Sequence, residues 1–226
     1  MKFKNILLVI IFILFLSVYM AVKTKLSYIN DVDINKYINE INTKLYVSSY
    51  EEDITEVFTL NESVIEVSDL ENISPIIVKV KVNPIKERRR FYLCTLTNVE
   101  VIEVYNGEVG ENNIDIFEPI DISINKENGE IIVDSLDGYN WMKESKEYIL
   151  FLRPLKDSNY SNNESVYLPT TTLLSKYEIS NNKAENLNIN ELVNYYDIRN
   201  EEIFTDNYET INKFNYFKDN IMKIYK

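Results

Sequence analysis

Ser180-Asn181-Asn182-Lys183 sets a serine and a lysine at the spacing at which the lysine can act as base to a serine nucleophile. That chemistry also needs a helix start at the serine and two companion motifs, and neither companion is present. The match fixes only two positions, so it is read as coincidence. Carboxylates are plentiful, with 36 Asp and Glu against 24 Lys and Arg. Two of them can in principle serve as acid and base in a hydrolysis, but the spacing singles out no pair. The oxygen-rich stretch from Asp121 to Glu130 misses the calcium-loop spacing because Gly129 falls too late. Histidine is absent. This removes the commonest general base, the commonest zinc ligand and the usual pH switch. The single cysteine, Cys94, sits in an apolar stretch, where an inert thiol is expected and no intramolecular disulfide can form. No catalytic residue, metal ligand or cofactor is assigned.

Two groups of residues have the chemistry of recognition instead. Lys86, Arg88, Arg89 and Arg90 form the one basic cluster in a chain of net charge −12. They suit an anionic surface, such as lipid headgroups or cell-wall polyanions, through charge-assisted hydrogen bonds. The competing reading is a solvated hairpin tip whose charges discourage edge pairing. Tyr139, Trp141 and Tyr148 flank a loop that holds the only tryptophan. Rigid aromatic faces can stack on sugars or anchor a protein partner. The competing reading has Trp141 closing one end of a hydrophobic core. The strong negative charge argues against nucleic acid as a partner.

These residues must be positioned by a β-rich body. In Ile76–Val82 the even positions are all apolar and Lys79 and Lys81 lie between them, the pattern of a strand with one buried face. Pro84 and the charged run from Lys86 to Arg90 end it. Phe91 to Tyr105 reads as one long strand. Val99 and Val101 share a face while Ile102 and Val104 take the other, and that change of phase predicts a bulge. Asn106-Gly107 and Asn128-Gly129 are turn pairs suited to positive φ. Asn113 to Phe117, Ile131 to Val133, Lys176 to Ile179 and Leu187 to Ile189 read as shorter strands. Tyr148 to Leu152, apolar on both faces, reads as a central strand. Tyr46 to Val67 is β-leaning and acidic. Helical spacing appears in Ser27 to Ile41, through Ile34, Tyr37, Ile38 and Ile41. It returns after Asn190, read as an N-cap, through Leu192, Tyr195, Tyr196 and Arg199. A final stretch, Tyr208 to Tyr225, sets Ile211, Phe214, Phe217, Ile221 and Ile224 on one face.

The N-terminus is of a different kind. Ile6 to Val22 is apolar except at Ser17, and Lys2, Lys4, Lys23 and Lys25 flank it. Its length suits a membrane-spanning helix, which needs roughly 20 residues. A cleavable signal would have a shorter apolar run and small residues at the cut site, whereas Tyr19-Met20-Ala21 fits such a site poorly. The segment therefore reads as an uncleaved signal anchor, with secretion after cleavage as the alternative. The rest of the chain is expected outside the membrane. Heavy use of Ile, Asn, Lys and Tyr fits an AT-rich genome, as in low-GC Gram-positive bacteria.

From Ser74 to Pro154, the strand Ile76–Val82, the segment Val101 to Gly107, the short strand Ile114-Asp115-Ile116 and the strand Glu147 to Leu152 follow in an order that resembles a family. It is a group of small exported bacterial proteins of unknown function with an OB-like barrel, similar in outline to netrin-type and inhibitor-type barrels. The resemblance implies a five- or six-stranded, Greek-key-like barrel and transfers no active residues. The expected fold class is mainly β with flanking helices. The expected divisions are an anchor at residues 1–25, a stalk at 26–73, the barrel at 74–189 and a helical segment at 190–226. The expected function is a non-enzymatic binding or interaction module at the cell surface. It would hold the membrane through residues 6–22 and meet an envelope protein or an anionic surface polymer. The alternatives are an extracytoplasmic hydrolase with paired carboxylates and a structural subunit of an envelope complex.

Overall fold

The computed structural model describes residues 13–20, 34, 38, 43–48, 64–84, 88–91, 94–125, 128–155, 166–189 and 193–225. The chain divides into two compact units, residues 1–32 and residues 33–226. In the first, residues 13–20 are helical and exposed. Among the described residues no helix is long and apolar enough to cross a membrane. The rest of the expected anchor, residues 1–12 and 21–25, lies outside the described residues.

The second unit mixes helices with sheet around a closed five-strand barrel. Five strands form the ring: β2 (Ile76–Val82), β4 (Cys94–Asn106), β5 (Asn113–Glu118), β8 (Glu147–Pro154) and β9 (Val166–Pro169). Around the ring the order is β8, β2, β4, β5, β9 and back to β8. All neighbours are antiparallel except β5 and β9. β3 (Arg89–Phe91) adds to β4, and β10 (Lys176–Glu178) adds to β8. A separate three-stranded sheet is inserted between β5 and β8. It consists of β6 (Ile120–Ile124) and β7 (Ile131–Leu136), joined by β1 (Lys44–Ser48), which runs parallel to β7.

The alternation in β2 acts as the sequence dictates. Ile76, Val78, Val80 and Val82 face the barrel interior with Val99, Ile114, Ile116, Leu150 and Leu152. Ile77 faces outward, yet it is also buried, because helices cover that side. The same holds in β8: Tyr148, Leu150 and Leu152 point into the barrel, while Ile149 and Phe151 point out under the helices. This double burial explains why β8 reads as apolar on both faces. The expected bulge is present in β4, where the pairing with β2 skips Ile102 and Tyr105. Gly107 follows with φ of 79°, as its turn requires.

The outer core is built by α1 (Val67–Ile73) and α3 (Tyr208–Tyr225). Ile211, Phe214, Phe217 and Ile221 of α3 are buried, and each such side chain contributes about 1.5–3 kcal/mol of gross hydrophobic stabilisation. Ile224, expected on the same face, is exposed. In the chain between these helices comes α2 (Tyr195–Ile198), one turn capped by Asn194, whose side chain accepts from Tyr196 N at 3.1 Å.

Four readings change. The long strand expected from Phe91 is two strands, with β3 folded back so that Phe91 faces Cys94 in the ladder. Leu187 to Ile189 forms no strand; Leu187 N instead donates to Thr205 O at 3.1 Å. The helix cap near residue 190 is Asn194, and Asn190 itself lies outside the described residues. Val67, read as the end of a β-leaning stretch, instead opens the helix Val67–Ile73, with Asp69 accepting from the backbone N–H groups of Glu66 and Ile65 at 2.8 and 3.0 Å. That local carboxylate bonding starts a helix whatever the propensity of its neighbours.

Candidate functional site

The basic cluster is split by strand geometry. Lys86 lies outside the described residues. Arg89 and Arg90 are successive residues of β3, so they point to opposite faces. Arg89 pairs with Asp115 at 2.7 Å and Arg90 with Asp121 at 2.8 Å. The Asp121 carboxylate raises the pKa of Arg90. Arg88, buried, donates to the backbone carbonyl of Met142. The three described arginines are thus held at three separate places.

The aromatics lie inside. Tyr139 is 1% exposed and Trp141 3% exposed. Trp141 donates through Nε1 to Thr95 Oγ1 at 2.9 Å and packs edge-on against Tyr195, with ring centroids 5.7 Å apart. Tyr139 OH donates to Glu118 Oε2 at 3.0 Å. Burial pushes the Tyr139 phenol well above its ordinary pKa, and the Glu118 carboxylate adds to the effect.

Glu118, at the end of β5, is the hub of a buried polar network. Besides Tyr139 it accepts from Met142 N at 2.7 Å and from the hydroxyl of Thr97. Asn140 completes the network. Its Oδ1 accepts from Tyr195 OH at 2.9 Å and from Trp141 N at 2.8 Å. Its amide nitrogen donates to Glu201 O at 2.6 Å and Arg199 O at 3.1 Å. Lys176 donates to Asn140 O and sits 3.9 Å above the Tyr139 ring. Burial lowers the Lys176 pKa to about 8, against the pull of Glu118 and Glu202. Together these bonds tie the segment from Tyr139 to Met142 to the barrel, to α2 and to the residues that follow α2. The loop is therefore fixed without regular secondary structure.

On the outer side of that fixed segment lies an open recess of about 330 Å³. Arg88, Lys143, Lys146 and Arg199 line it, with Glu144 as the one carboxylate among its described lining residues. Trp141, Met142, Tyr195 and Ile38 supply its apolar part. In a chain of charge −12 this is a local reversal of sign. The structure thus brings Arg88 and Trp141 to one place and leaves Arg89 and Arg90 in their carboxylate pairs. Sequence reasoning missed Lys143, Lys146 and Arg199. The two lysines are scattered singly through an acidic chain, and Arg199 reads only as part of a helical spacing.

A second recess, about 270 Å³, shares Lys143 and Asn200 with the first and is rich in carboxylates: Glu178, Glu185, Glu201 and Glu202. Two of these are engaged by lysines. Glu178 lies 3.5 Å from both Lys143 and Lys146, and Glu202 forms a buried pair with Lys218 of α3. Ser180 also lines it, and its Oγ accepts from Lys218 Nζ at 3.3 Å. The lysine that meets the serine is thus Lys218, not Lys183, and Glu202 holds it in a buried pair. Lys183 instead pairs with Asp219 at 2.7 Å. Cys94 is buried, and desolvation raises its thiol to about 12. Among the described residues no cluster of metal-ligating side chains occurs. No protein-family model, curated protein or solved structure matches the chain.

Proposed function

We propose that the chain is a membrane-anchored binding module exposed outside the cell, built on an OB-like barrel, and that it acts without catalysis. The single observation that carries the binding reading is the recess beside Trp141, where four cationic side chains gather in a strongly acidic protein. The barrel reading rests on connectivity. Taken in chain order, the ring strands run first, second, third, fifth, fourth, with the third and fifth parallel. That is the Greek-key order of OB-like barrels, which present ligand surfaces through the loops between their strands. The segment between the first two ring strands supplies Arg88 to the recess. The anchoring reading rests on the apolar run Ile6 to Val22.

A hydrolase would need two carboxylates available as acid and base. Glu178 and Glu202 are held by lysines, which supports a positioning role for them. The fitting partner is therefore an anionic component of the envelope, either polymer or protein. The full chain in neutral detergent, immobilised and exposed to a solubilised envelope extract, is expected to retain anionic material. A Lys146→Glu/Arg199→Gln variant is expected to retain much less. Equal retention by both proteins rejects the recess as the binding site. Addition of protease to intact cells tests the location, and full protection of the domain rejects exposure outside.

A further inference from the structure

The chemistry of the recess specifies its ligand further, on the premise that the recess is a binding site. Its described lining carries Arg88, Lys143, Lys146 and Arg199 against Glu144 alone. With Glu178, which meets Lys143 and Lys146 from the neighbouring recess, two carboxylates face four cations among the described residues. A phosphate ester carries −1.5 to −2 near neutral pH and presents three acceptor oxygens. The donors are mixed in kind. The arginines offer planar forks and the lysines compact point charges, the combination that surrounds a tetrahedral oxyanion. Lys143 and Lys146 share the Glu178 carboxylate at 3.5 Å each. One carboxylate between two ammonium groups leaves positive charge for a ligand to meet. Lys146 is 56% exposed at the side chain, so it can swing toward an incoming anion at little cost.

The remaining wall is apolar. Trp141, Met142, Tyr195 and Ile38 occupy it. Trp141 and Tyr195 are fixed in place by hydrogen bonds to Thr95 and Asn140, so that wall is preformed. The recess, at about 330 Å³, is within the size range of small-molecule sites, roughly 300–1,000 Å³. We infer that the recess binds a phosphate ester whose non-phosphate body rests against the apolar wall formed by Trp141, Met142 and Ile38. A free sugar or polyol phosphate and the monoester headgroup of phosphatidic acid both present that group.

The test uses the sole tryptophan as reporter, since Trp141 lines the recess. The full chain is placed in phosphatidylcholine liposomes and titrated with glucose 6-phosphate, glucuronate and glucose. Glucose 6-phosphate is expected to shift the Trp141 emission saturably, at least about tenfold more tightly than glucuronate, with no response to glucose. Lys146→Glu and Arg199→Gln are each expected to weaken that response about tenfold or more, with Lys183→Glu as an unaffected control. Liposomes containing phosphatidic acid separate the sources. A shift without added sugar phosphate, which then blocks the titration, identifies the headgroup; an unaltered titration identifies the free ester. Equal affinity for glucuronate overturns the phosphate assignment and leaves the binding module standing. No response to any anion, with envelope retention still dependent on Lys146 and Arg199, overturns the phosphate ester alone. No response together with charge-independent retention overturns both.

Discussion

Gly138 lies so close to Phe204 that a Cβ on the glycine would stand 1.9 Å from the Phe204 carbonyl oxygen. Phe204 N also donates to Gly138 O at 2.7 Å, and Gly138 has φ of 85°. The turn after β7 is thereby stitched to the segment ahead of α3. Gly138→Ala meets both a backbone clash and an unfavourable φ, and is expected to cost about 3 kcal/mol or more. Urea unfolding of the variant measures this, and a midpoint equal to that of the parent protein refutes the close approach.

The buried pair of Lys218 and Glu202 makes a second prediction. Both side chains are nearly inaccessible, at 3% and 9%. Lys218→Met strands the Glu202 carboxylate and is expected to destabilise by about 3–5 kcal/mol. Adding Glu202→Gln should recover most of that loss, because the pair's desolvation is then avoided. A double-mutant cycle in urea supplies the measurement. Simple additivity of the two losses contradicts the pairing.

Tyr177 carries a buried hydroxyl without a hydrogen-bond partner among the described residues. Its ring stacks on Phe214 with centroids 5.2 Å apart. Tyr177→Phe keeps the ring and removes an unsatisfied polar atom. It is expected to leave stability unchanged or to raise it by about 1 kcal/mol. A drop in thermal midpoint would reveal a partner for the hydroxyl.

Asp137 gives the pH dependence. It occupies the left-handed region at φ of 52°, and burial raises its carboxyl to about 6 from an ordinary value near 3.8. The folded state therefore holds the proton more tightly than the unfolded state, and this group's contribution to stability falls as pH rises from about 4 to 6. Asn suits the same backbone and cannot ionise. Asp137→Asn is expected to match the parent protein below pH 4 and to exceed it by about 1 kcal/mol above pH 6, after discounting for partial exposure. Stability curves that differ by a constant amount across that range rule out the carboxyl.

The barrel was legible in the sequence wherever one strand face meets the interior. Ile76–Val82 alternates because one face fills the barrel, and β8 does not alternate because helices cover its back. The phase change in β4 announced its bulge correctly, since a skipped residue shows directly in the alternation. α3 was legible to its ends because its buried residues recur at helical spacing. Strand β1 was not legible as the parallel partner of β7, because pairing between residues so far apart leaves no local mark. The recess was half legible. Arg88 and Trp141 stood out by type, but Lys143 and Lys146 follow a loop that bonds to Glu118 and Asn140 hold in place. Nothing in a linear pattern distinguishes a carboxylate that organises a loop from one that is merely solvated.

The ring is completed by β9, four residues at the far end of the sheet that join both β5 and β8. A growing polypeptide that has not yet reached Val166 therefore presents two bare rims, on β5 and on β8, to whatever surrounds it. Folding must wait for contacts distant along the chain, which slows it and prolongs that vulnerable period. Any product cut short ahead of Pro169 retains those rims permanently and so invites aggregation or proteolysis.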